Sequence, residues 1–93
     1  MPHATARIAT VEGARLIKRL CTHWAHKLEV AHEPGHGRVV FGPGATLTLD
    51  ATETELHAVL DTPDADADAR LREVVAEHLQ RMAREGELVV DWR

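Results

Sequence analysis

Two imidazoles, an indole, a thiol and an ammonium fall within seven residues of this chain, in the run Cys21-Thr-His23-Trp24-Ala-His26-Lys27. On a helix, His23 and His26 stand about 60° apart on adjoining turns, so two neutral imidazoles there can share a transition metal. Two donors do not complete a zinc centre, which takes three or four protein ligands. Cys21 is no candidate for the third, because it points about 160° away from His23 around a regular helix. His32, His36 and His78 are available elsewhere in the chain, and His78 is the best placed. A second helix lying beside the first on one sheet would carry it toward His23. The expected metal set is therefore His23, His26 and His78. Each also has a plainer reading, which is the stronger one. His26 suits a solvated position near a helix C-terminus, where the dipole favours a cation. His23 suits a boundary position with one hydrogen bond, and His78 a core position satisfied by the polypeptide.

Other chemistries find less support. Cys21 is the only thiol. It falls on the apolar side of its helix, where burial raises a thiol pKa and leaves it inert. A cysteine-based enzyme is therefore the weakest reading. No nucleophile elbow, phosphate loop or dinucleotide fingerprint is present. Asp64, Asp66 and Asp68 alternate, so a helix spreads them around its axis, and they read as a helix start, not a calcium loop. Charge is unevenly spread: residues 7–27 carry Arg7, Arg15, Lys18, Arg19 and Lys27 against Glu12, and residues 50–77 carry nine acids against Arg70 and Arg72. Solvated helix faces of opposite sign account for this. The sharper alternative is a basic patch of Arg15, Lys18, Arg19 and Lys27 that meets an anion or an acidic partner.

The elements that must position these groups follow from periodicity. Thr5–Thr10 alternates and reads as a short strand. Thr10 is placed to cap a helix over residues 12–26, whose Leu16, Ile17, Leu20, Cys21 and Trp24 form one apolar stripe. Arg15 and Arg19 fall on its far side. Four strand-like runs follow: Val30–His32, Arg38–Phe41, Ala45–Asp50 and Glu55–Asp61. Glu33-Pro34-Gly35-His36 suits a type II turn, and Gly42-Pro43-Gly44 marks the next reversal. Thr62 as N-cap and Pro63 as first helical residue open a second helix with Leu71, Val74, Val75, Leu79 and Met82 buried, His78 in the same stripe, and Gly86 as its stop. Leu88–Trp92 reads as a closing strand. The order β-α-β-β-β-β-α-β predicts an α+β two-layer sandwich: a mainly antiparallel sheet with two helices on one face.

Ninety-three residues, 44% of them hydrophobic and 28% charged, are expected to form one α+β domain over residues 1–93. The chain is too apolar for a disordered protein and has no run long enough to cross a membrane. The opening Met-Pro-His-Ala-Thr-Ala-Arg lacks an apolar signal region, and a lone cysteine fits a reducing, cytoplasmic setting. A net charge of −4 argues against nucleic acid as a partner. Aromatics are few (Trp24, Phe41, Trp92), so the core rests on Ala, Val and Leu, and dimerisation would add burial.

Several stretches together are similar to a bacterial family, the domain of unknown function DUF2218. They are Thr5–Thr10, Ile17–Lys27, Gly37–Gly42, Arg70–Arg81 and Val90–Arg93. The His23-aromatic-x-His26-Lys27 pattern is the most distinctive of them. The resemblance transfers no catalytic residue. It implies an iron-related role, through members joined to, or encoded near, siderophore-interacting flavin reductases. The expected function is a small binding or accessory domain, not an enzyme, with a homodimer or a protein of iron metabolism as partner. The alternative is a metal-binding or metal-handling protein built on the histidine-rich helix.

Overall fold

A computed structural model of the chain describes residues 2–84 and 86–93. Its elements are β1 (His3–Ala9), α1 (Gly13–Trp24), β2 (Glu29–Glu33), β3 (His36–Gly42), β4 (Ala45–Ala51), β5 (Glu55–Asp61) and α2 (Ala65–Met82). The five strands form one antiparallel sheet in the order β1-β5-β4-β3-β2. The helices pack on one face of it: α1 lies over β2, β3 and β4, and α2 packs against α1 and β5. The architecture is the expected α+β sandwich.

Alternation decides which side chains meet the helices. Ala4, Ala6 and Ile8 of β1, Leu56, Ala58 and Leu60 of β5, Leu47 and Leu49 of β4 and Val39 of β3 are buried beneath them. Leu16, Ile17 and Leu20 of α1 and Val75 and Leu79 of α2 complete this core with no exposed surface. Each such side chain contributes about 1.5–3 kcal/mol by leaving water. Two backbone positions shape the layer. Gly35 turns the chain between β2 and β3 with φ of 77°, a conformation that suits glycine. Gly37 lies directly under α1: a Cβ there would sit 2.7 Å from Cys21 Sγ and 2.9 Å from Ile17 Cγ2. A side chain at that position would lift the helix from the sheet.

The ends of elements depart from the expected boundaries, each for a local reason. Residues 88–93 form no strand. Among the described residues, the backbone-to-backbone hydrogen bonds of this stretch are those that Arg93 exchanges with Thr5, at 2.9 and 2.7 Å. Leu88, Val90 and Trp92 nevertheless turn toward the core while Val89, Asp91 and Arg93 stay exposed, so the period of two survives without a ladder. The cap of α2 is Asp64, whose carboxylate accepts from the Ala67 N–H at 2.8 Å. Thr62 is instead fully buried, and Pro63 precedes the helix. α2 also ends at Met82, where Ala83 takes an extended conformation, before Gly86 is reached. Thr10 accepts a hydrogen bond from the Glu12 N–H at 3.0 Å, and α1 begins one residue later. Its last helical residue is Trp24, so His26 lies just beyond the helix.

Candidate functional site

The C-terminal end of α1 is where the sequence-flagged chemistry gathers. Trp24 is the hub. Its ring meets Phe41 edge-on at a centroid distance of 5.0 Å and the His78 ring at 5.0 Å. The His23 ring lies 6.5 Å from Trp24 and 5.3 Å from His78. Two helices lying side by side thus bring His78 of α2 to His23 of α1. Phe41, at the end of β3, holds the indole from the sheet side. Aromatic pairs at such separations add about 0.5–1.5 kcal/mol beyond the area they bury.

The half-buried His78 has a fixed tautomer. Its Nδ1 lies 2.7 Å from the Val74 carbonyl oxygen. A carbonyl only accepts, so Nδ1 carries the hydrogen, and in the neutral ring the lone pair is on Nε2. That is the state in which a histidine accepts a hydrogen bond or binds a metal, with the second ring nitrogen anchored by the backbone. With ring nitrogens about 2.1 Å from a shared tetrahedral ion, two imidazole centroids stand about 5 Å apart. The His23–His78 separation falls at that value.

Against His23 and Trp24 opens a cleft of about 400 Å³, lined by these two with His26 and Lys27; His78 lies behind them and is not part of its lining. His26 and Lys27 are exposed, and His26 shares the cleft with His23 without joining a three-donor group. Among the described residues, no three His, Cys, Asp or Glu side chains converge to hold a metal. The structure brings together His23 and His78; His26 stands on the cleft wall. Cys21 is buried at 2% exposure, and burial pushes its thiol above the ordinary value.

The four expected patch cations are divided. Lys18, Arg19 and Lys27 are exposed. Arg15 is not a solvated far-side residue: its guanidinium pairs with the buried Glu12 carboxylate and donates to the Met82 carbonyl at 2.8 Å. Glu12 also accepts the Arg84 backbone N–H at 3.1 Å. The pair clasps the start of α1 to the end of α2, and with it fixes how the two histidine-bearing helices sit.

The solvent face of the sheet carries a second set of histidines, of which sequence reasoning named only His36, as a spare metal ligand, and passed over the carboxylate pairing of all three. His36 donates to Asp50 at 2.6 Å, His3 to Asp61 at 2.6 Å, and His57 to Glu55 at 3.2 Å. Arg7 donates to the same Glu55 oxygen at 3.0 Å. The hydrogen bond that His36 donates to Asp50, followed by the nearby charges of Asp50 and Glu33, raises the His36 pKa above its ordinary 6.5. The hydrogen bond from His57, then the Arg7 charge, holds the Glu55 carboxyl below its usual value. The signal was present in the chain: residues equidistant from the Gly42-Pro43-Gly44 reversal pair across the hairpin, and His36 pairs with Asp50 in that register.

The model of a bacterial family described as "Uncharacterized protein conserved in bacteria (DUF2218)" matches residues 5–93. The chain belongs to this family. Its structure is similar to the NMR structure of PA4090 from Pseudomonas aeruginosa, with a TM-score of 0.84 and 39% sequence identity over 100% of this chain and 96% of that one. No curated protein matches the chain. Among the described residues, no helix is long and apolar enough to cross a membrane. In this DUF2218 chain the distinctive His-Trp-x-His-Lys run coincides with the end of α1 and the mouth of the histidine cleft.

Proposed function

We propose that this protein is a small, single-domain, cytoplasmic binding or accessory protein rather than an enzyme, that it serves iron acquisition, and that it engages its ligand at the histidine cleft. The observation that carries the reading is the contact among His23, Trp24 and His78 behind a cleft edged by His26 and Lys27. It pairs a rigid aromatic floor with exposed nitrogen donors, a combination suited to holding a ligand. The iron setting is supported by the family resemblance. The partners in this reading are a protein of iron metabolism and a second copy of the chain, the latter through the solvent face of the sheet. Backbone NMR of tag-free protein tests the site, with ferric citrate, ferrous iron, zinc and nickel added in turn. Resonances of His23, Trp24, His26, Lys27 and His78 are expected to shift together with at least one of these. Shifts confined to other residues, or none with any additive, would overturn the assignment.

A second reading, direct metal binding, is favoured by the 5.3 Å spacing of the His23 and His78 rings and by the free Nε2 of His78. Here His23 and His78 form a two-nitrogen chelate, and ligands from solution or a partner complete the coordination. His23→Ala and His78→Ala would each lower zinc or nickel affinity at least tenfold, while His26→Ala would change it little. Equal losses in all three variants would point to loose surface binding instead.

A further inference from the structure

A separate cleft, of about 430 Å³, opens between α1 and the β2–β3 turn, lined by Ala14, Arg15, Lys18, His32, Pro34 and Gly35. None of these six is acidic. His32 pairs in register with Gly37 and so points to the helix-bearing side of the sheet. Gly37 lets α1 settle close over β3, and His32, on the neighbouring edge strand β2, lines the cleft together with Lys18 of α1. Lys18 and His32 are exposed, and neither side chain has a hydrogen bond or ion pair to another described residue. Arg15, by contrast, is spent on Glu12 and the Met82 carbonyl. The cleft thus offers an ammonium and an imidazole, which donates an N–H in either protonation state, next to the apolar surfaces of Ala14 and Pro34.

We propose that this cleft is a second binding site, specific for a small molecule with a carboxylate or phosphate head beside a short apolar portion. The head lies between Lys18 and His32, and the apolar portion rests on Ala14 and Pro34. A polar residue turned inward on an edge strand also discourages strand pairing with other molecules, but that role alone requires no preference for anions.

The test is an NMR titration of the full-length chain at constant ionic strength with inorganic phosphate, acetate and citrate, against chloride as reference. Saturable shifts of Lys18, His32 and Gly35 are expected with phosphate or with the carboxylates, and the arm that saturates first identifies the head group. Lys18→Gln and His32→Gln should each weaken that binding about fivefold. Arg38→Gln, on the opposite face of the sheet, should leave it unchanged. The proposal fails if no addition saturates, if Arg38 responds as strongly as Lys18, or if folded Lys18→Gln and His32→Gln proteins both bind as the parent does.

Discussion

A histidine is defined by what its Nδ1 is doing. In His36 that nitrogen faces the Asp50 carboxylate, which favours the imidazolium and raises its pKa above 6.5. The sign of the linkage follows: a raised folded-state value adds stability that is complete below the unfolded pKa near 6.5 and is lost as pH rises through the folded value. A proton-detected titration should therefore find His36 above 6.5, and Asp50→Asn should bring it back down. An unmoved His36 in that variant would show that the pair does not form in solution. At Gly37 the determining factor is space. Gly37→Ala places a methyl against Cys21 Sγ and Ile17 Cγ2 and should cost about 1–3 kcal/mol in chemical denaturation. The strain should also speed native-state thiol labelling of Cys21, which in the parent is expected to be slow because burial keeps the thiol protonated. A variant as stable as the parent would mean that α1 does not sit so close.

Among the elements, the helices depend on a clasp between the start of α1 and the end of α2, one turn beyond His78. The buried Glu12 carboxylate takes the Arg15 guanidinium and the Arg84 N–H, and Arg15 reaches the last carbonyl of α2. Glu12→Gln keeps the shape but removes the charge, and it should destabilise the fold by about 1–3 kcal/mol, measured by urea unfolding. Loss of less than the experimental error would assign the clasp no energetic role. Glu12 and Arg15 show where sequence legibility stops. Wheel geometry put Arg15 opposite the apolar stripe and so in solvent, but a long side chain beside a second helix finds that helix's unpaired terminal carbonyls. The apolar periods were enough for the two helices, the five strands of the sheet and the meeting of His23 with His78. They did not resolve the caps, because Thr62 and Asp64 are both competent N-caps and burial of Thr62 in the tertiary structure decided between them. Nor did they distinguish a closing strand from residues 88–93, where alternation reflects one side facing the core and not a hydrogen-bonded ladder.

For the whole molecule, the two rims of the sheet differ. β1 is flanked by the C-terminal residues through the Thr5–Arg93 pair, whereas β2 is the last strand on the other side. An antiparallel pairing of β2 with its copy, centred on Ala31, would set Glu29 opposite Glu33 of the second copy twice over, an arrangement that opposes association through this rim. Glu33→Lys turns both oppositions into ion pairs, and sedimentation should then show more self-association than in the parent; no change would mean that the rim is blocked by something other than charge. The helix-bearing side gathers the functional candidates, with the histidine cleft at one end of α1 and the cationic cleft on its flank. The central claim is that His23 and His78 act as one unit at the first of these. Nitrogen-15 NMR of the imidazole rings during a zinc titration tests it most directly. The account predicts His78 protonated on Nδ1 before zinc is added, and joint movement of the His23 and His78 Nε2 or Nδ1 signals as zinc binds, with His32 and His36 unmoved. A His78 protonated on Nε2, or zinc that moves either ring without the other, would contradict it.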